Sequence, residues 1–120
     1  MINAYKNMVY VASYSLEKNI LVEIKKPEVV RVQNLKNYIT EKSIVCGDGF
    51  ATYEKYISAE IKQNIIRNAD ISDEPHAIMT GRLAFKSEHL ILPWNQIIPL
   101  YLRASEAEEN LQGIKYWPII

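Results

Sequence analysis

"SIVCGDGFATYEKYI", residues 43–57, passes within fifteen residues from an apolar run to a glycine-bounded turn and on to residues at helical spacing. Ser43 to Cys46 is a short apolar stretch stopped by glycine, the pattern of a strand covered on both faces in a parallel or mixed sheet. Gly47-Asp48-Gly49 makes the turn, and Phe50, Tyr53, Ile57 and Ile61 then mark one face of an amphipathic helix. Strand, tight turn and helix in succession place the chain in the α/β class, with a mixed β-sheet flanked by helices.

Working outward towards the start, Met8, Tyr10, Ala12 and Tyr14 alternate with Val9, Val11 and Ser13, a period of two in β-favouring residues. Leu16 to Asn19 is a polar turn and Ile20 to Ile24 a second run, so the two are expected to form a hairpin. Pro27 cannot donate to a ladder, and Glu28 to Val32 is either a continuation after a kink or a third short strand. Asn34 is a candidate cap for a short helix carrying Leu35, Tyr38 and Ile39.

Towards the end, Ile65-Ile66 can add an edge strand. Ser72 or Asp73 is expected to cap a helix with Pro75 in its first turn. Ala77, Ile78, Met79, Leu83, Ala84 and Phe85 spread over more than one face, which predicts a well-buried helix. Gly81 in its middle suggests that another element approaches closely there.

Composition narrows the function classes. At 120 residues, 48% hydrophobic and 23% charged, the chain reads as one ordinary globular domain over 1–120. Fourteen basic residues balance fourteen acidic ones, so no overall field draws it to nucleic acid or an anionic membrane, and direct nucleic-acid binding is not expected. Cys46 has no partner for an internal disulfide and reads as a small core residue in a reducing compartment. With no leader-like start and no span-length apolar stretch, the expected location is cytoplasmic. The apolar Tyr116-Trp117-Pro118-Ile119-Ile120 must fold back or bind something, which leaves self-association open.

Candidate chemistry is sparse. His76 and His89, thirteen positions apart, have no metal-ligand pattern around them and read as helix-end histidines, so no metal is assigned. No serine or cysteine lies in a nucleophile-elbow context, and no catalytic residue or cofactor is assigned. Tyr10, Tyr14, Tyr38 and Tyr53 fall on apolar faces and read as core. The one local pattern with chemical potential is Gly47, Asp48 and Gly49, a candidate anion-binding turn whose backbone N–H groups could face a phosphate. The competing reading is a plain strand-to-helix turn, because the run lacks the lysine and spacing of a P-loop.

One further stretch, "IIPLYLRASEAEE" at 97–109, is unusual so near the end of a chain. Its proline, aromatic ring and arginine predict an extended anchor formed by Pro99, Tyr101 and Arg103, and the acidic run after it can open a short helix. This stretch, the turn at Gly47-Asp48-Gly49 with Tyr53, and the opening Asn3-Ala4-Tyr5-Lys6-Asn7-Met8-Val9-Tyr10 stand in the order of three motifs of the TsaB (YeaZ) family. That family is the non-catalytic, glycoprotease-like relative of the carbamoyl-transfer enzyme TsaD. The chain resembles its C-terminal half from end to end, with Asn3 and Tyr5 where the family has aspartate and arginine.

The resemblance implies one lobe of an actin-like (RNase H-like) fold, without the N-terminal lobe. It also implies an accessory role for TsaD-like and TsaE-like partners in forming N6-threonylcarbamoyladenosine at position 37 of tRNA, with the transfer done by TsaD. Two alternatives remain: a stand-alone interaction domain that kept the fold but not the pathway, and a weak nucleotide- or anion-binding enzyme working at Gly47 to Gly49.

Overall fold

A computed structural model describes residues 1–87 and 90–113. The chain is mixed α/β, with a three-stranded antiparallel sheet, a two-stranded parallel sheet and short helices. The larger sheet is dominated by the expected hairpin, β2 (Met8–Glu17) and β3 (Ile20–Arg31), paired from Met8↔Arg31 to Glu17↔Ile20. Lys18 and Asn19 turn it with φ of 49° and 65°, the left-handed pair that a tight hairpin needs to match strand twist. Pro27 does not end the strand. The register shifts between Val11 and Ser13, opposite Lys25 to Glu28, so the proline is absorbed in an irregularity of the ladder and Glu28 to Arg31 continues β3.

A strand not foreseen from the sequence, β1 (Ile2–Asn3), adds to the other edge of β2 through Ile2↔Tyr10 and Asn3↔Val9. The second sheet joins β4 (Ser43–Ile44) to β5 (Ile65–Ile66) in parallel, confirming the expected edge pair at Ile65-Ile66. The expected strand at 43–46 is thus only two residues long. Ile44 and Cys46 are exposed and only Val45 turns into the core, so Cys46 is not a core residue. Met1 links the sheets: its amino group donates to the Cys46 carbonyl, and its own carbonyl accepts from the Gly49 N–H at 3.2 Å.

One core lies between the large sheet and the segments that follow it. Val9 and Val11 from β2 meet Val32, Leu35 and Ile39 from a 3-10 helix at Val32–Asn37 and its exit. That helix is entered directly from β3 through Arg31, so Asn34 lies inside it and does not cap it. Tyr53, Ile57 and Ile61 close the core from the other side, as their spacing predicts. The helix expected to carry them is broken: α1 (Gly49–Tyr53), a 3-10 turn at Glu54–Tyr56, an extended Ile57, and α2 (Ala59–Lys62). Ser58 is the cause, since its side chain accepts from the Ile61 N–H and starts a new helix.

The last two helices are α3 (Ala77–Lys86) and α4 (Glu106–Leu111). His76 takes the cap position of α3, while Pro75 precedes the helix and neither Ser72 nor Asp73 caps it. Burial of α3 is overturned: none of its residues is buried, and a Cβ at Gly81 would meet nothing within 4 Å. His89 and the Tyr116 to Ile120 stretch lie outside the described residues. No helix is long and apolar enough to cross a membrane among the described residues.

Leu35 has no exposed surface, so Leu35→Ala is expected to destabilise the fold by about 2–5 kcal/mol, the range for emptying a packed aliphatic site. The shift in a urea unfolding curve at unchanged slope measures it.

Candidate functional site: a junction at Asn3 to Lys6

The turn between β1 and β2 is the point at which the three sequence motifs meet. Tyr5, Lys6 and Asn7 take φ of 59°, 50° and 60°, three successive left-handed residues with side chains, each costly on its own. The turn is closed by Ala4 N–H to the Met8 carbonyl and Met8 N–H to the Tyr5 carbonyl, both 3.0 Å. Asn3 Oδ1 accepts from the Tyr5 N–H at 2.8 Å, an Asx-type brace within the turn.

From the second motif, Asp48 Oδ1 accepts the Asn3 N–H at 2.9 Å, and the Tyr53 hydroxyl donates to Asn3 Oδ1 at 3.0 Å. Burial pushes the Tyr53 phenol up from its ordinary value, so the hydroxyl remains a donor at neutral pH.

From the third motif comes Arg103. Its guanidinium grips Glu109 with both sides of the fork, Nε to Oε1 at 2.5 Å and a terminal nitrogen to Oε2 at 2.9 Å, while its other terminal nitrogen donates to the Ala4 carbonyl. Glu109 is presented by α4, whose start is a full capping box: Ser105 Oγ accepts the Glu108 N–H at 3.3 Å and Glu108 Oε2 accepts the Ser105 N–H at 2.8 Å. Three glutamates in that first turn also suit the positive end of the helix. The Glu109 side chain is 1% exposed, and the Arg103 hydrogen bonds hold its carboxyl below the ordinary glutamate range. Lys6, raised chiefly by its hydrogen bond to Glu106 at 2.9 Å, adds a second pair and stands 3.6 Å from Glu109.

The expected anchor of Pro99, Tyr101 and Arg103 therefore divides. Arg103 does the fastening; Tyr101 is 83% exposed and packs on nothing that would make it an anchor. Residues 97–100 are exposed and irregular beside Pro99, outside any helix or strand.

In the turn at Gly47 to Gly49 the N–H groups of both glycines are already engaged, that of Gly49 by the Met1 carbonyl. Gly47 N–H donates to Asp73 Oδ1 at 2.7 Å, and Arg67 pairs with the other carboxylate oxygen at 2.5 Å. Arg67 first and the Gly47 N–H second hold Asp73 below the ordinary aspartate range. The anion facing this turn is the chain's own carboxylate. Gly47 is there for space: its φ is 102°, and a Cβ would lie 2.0 Å from the Met1 carbonyl oxygen.

Sequence reading gave no site role to Arg67, Asp73, Lys6 or Glu109. The Arg67–Asp73 pair has no periodic signature, since it closes a loop. Glu109 was legible in principle, because Ser105-x-x-Glu108 fixes the helix start and hence which acidic residue turns inward. Two open hollows flank Arg103, one beside Tyr101 and Gln112, the other beside Tyr5 and Tyr10. Among the described residues no group of three or more His, Cys, Asp or Glu side chains could hold a metal ion.

The depressed Glu109 carboxyl sets an acid limit. Its contribution is complete above the unfolded-state value of ~4.3 and is lost as pH falls through the lower folded-state value. Glu109→Gln is expected to be less stable at pH 7 and to lose less on acidification from about pH 5 to 2 than the unaltered chain, read from unfolding midpoints across that range.

No family model, no curated protein and no solved structure matches this chain, so its function is to be read from its own residues and their arrangement.

Proposed function

We propose that the chain is a TsaB-like accessory lobe that supports a TsaD-like catalyst, with a TsaE-like ATPase, in forming N6-threonylcarbamoyladenosine at position 37 of tRNA, and that it is not itself the enzyme. The observation that carries the reading is the convergence at Asn3–Ala4. The motifs that bear the resemblance are far apart in sequence, yet Asp48, Tyr53 and Arg103 all hydrogen-bond to those two residues. A chance likeness in three short runs has no reason to make those runs each other's partners.

The sheet arrangement supports the same reading. The antiparallel and parallel strands form two separate sheets and not the single mixed sheet expected, but Met1 bonds the segment before β1 to the segment after β4, so strands of both orientations lie in one lobe. On this reading Asn3 and Tyr5 replace the family's charged pair with neutral groups. Asn3 still braces the turn through its carbonyl, while Tyr5 presents a ring to solvent.

The donors engaged at Gly47 and Gly49 favour the accessory reading over a nucleotide site there. The test is a transfer assay on tRNA with TsaD-like and TsaE-like proteins, with and without this chain, paired with a pull-down of the TsaD-like protein. The expected result is retention of the TsaD-like protein and no transfer by this chain alone. Transfer without TsaD, or neither retention nor stimulation, overturns the proposal.

A further inference from the structure

Helix α4 buries no apolar side chain. Its one buried residue is Glu109, while Ala107 and Leu111 are exposed, Leu111 to 87%. The hydrophobic contribution that docks most surface helices is therefore missing. At 6 residues, α4 is also far shorter than the ~12–15 residues at which an isolated helix becomes even marginal in water.

What fastens α4 is charge. From the β1–β2 turn, Lys6 reaches Glu106 at 2.9 Å and Glu109 at 3.6 Å, and Arg103, just before the cap residue Ser105, bonds both Glu109 and the Ala4 carbonyl. The backbone bonds of the helix stay within it, Glu109 N–H to the Ser105 carbonyl at 2.9 Å and Gln112 N–H to the Glu108 carbonyl at 3.0 Å. Among the described residues the buried apolar cluster takes its members from Val9 to Ile61 and none from α4.

Glu109 is the group that both cations share. Arg103 faces it from the segment before the helix and Lys6 from the turn; Glu106 competes for Lys6, and the Arg103 charge also reaches the Tyr53 phenol of α1.

We infer that α4 is a charge-held latch on the β1–β2 turn, which detaches and unwinds as one unit when Glu109 is neutralised, while the β2–β3 hairpin and the Leu35 cluster stay folded. Docking and helix formation are one step. The undocked helix is too short to persist, and without the helix the capping box at Ser105 no longer aims Glu109 at Arg103. Detachment also frees the Ala4 carbonyl, so the left-handed turn at Tyr5 to Asn7 loses its bond to the end of the chain.

Hydrogen–deuterium exchange of the full chain at neutral pH, read peptide by peptide, tests the inference on the unaltered protein and on Glu109→Gln, Arg103→Met and Leu111→Ala. In the unaltered chain the amides of Glu109 and Gln112 are expected to be protected. Glu109→Gln and Arg103→Met should each speed exchange over 105–112 by about tenfold or more, with peptides from β2, β3 and the 3-10 helix at Val32–Asn37 unchanged. Leu111→Ala removes the largest apolar side chain of α4 and should change exchange there by less than about twofold, as at other exposed positions. An unprotected α4 in the unaltered chain overturns the inference, as does protection that survives both charge substitutions. Loss of protection in the hairpin and the Leu35 cluster together with α4, or a loss in Leu111→Ala as large as in the charge variants, overturns it equally.

Discussion

The guanidinium of Arg103 is the interaction on which the rest of the fold depends. It bonds a buried carboxylate six residues ahead and a backbone carbonyl ninety-nine residues behind. Without the first bond, Glu109 would be a charge out of water with only Lys6 near it. Without the second, the turn at Tyr5 to Asn7 would hold three left-handed residues with less to oppose their return to ordinary backbone. That turn orients β1, β1 carries Met1 and Asn3, and these are the groups through which the parallel pair and the helix start are attached. A single planar cation thus sets the geometry of segments it does not touch.

The junction also explains why apparently unrelated residue types recur there. Asn3 uses its backbone N–H on Asp48 and its carbonyl oxygen on both Tyr5 and Tyr53. Its short side chain, with an oxygen at the right reach, suits a place where a turn, a helix and a strand meet. Asp73 does comparable work on the far side, where Arg67 and Gly47 satisfy both of its oxygens and fasten the loop after β5 to the turn before α1.

Local periodicity was legible and tertiary placement was not. The hairpin followed from alternation at Met8 to Tyr14 and a turn at Lys18-Asn19, because both signals act over a few residues. Tyr53, Ile57 and Ile61 were placed on one face by their spacing and all three reach the core although the helix through them is broken at Ser58. Cys46 and α3 were misread for a shared reason: apolar character says that a residue prefers cover and not that this chain provides it. In the site, the motif residues were found by pattern, while Glu109 and Asp73 act through partners that no local pattern joins.

The contact between Ala4 and Arg103 gives the fold an order in time. On a ribosome the hairpin and the Leu35 cluster have left the tunnel, and can associate, well before Arg103 is added. The bond to the Ala4 carbonyl beside the first strand must then wait until Arg103 has been made. Until that residue emerges, β1 is held by its pairing with β2 and by the Met1, Asp48 and Tyr53 contacts, and the bond from Arg103 is a long-range step of the kind that slows folding. Nascent chains of this protein are therefore most exposed to wrong pairing in the interval between the completion of β5 and the synthesis of α4.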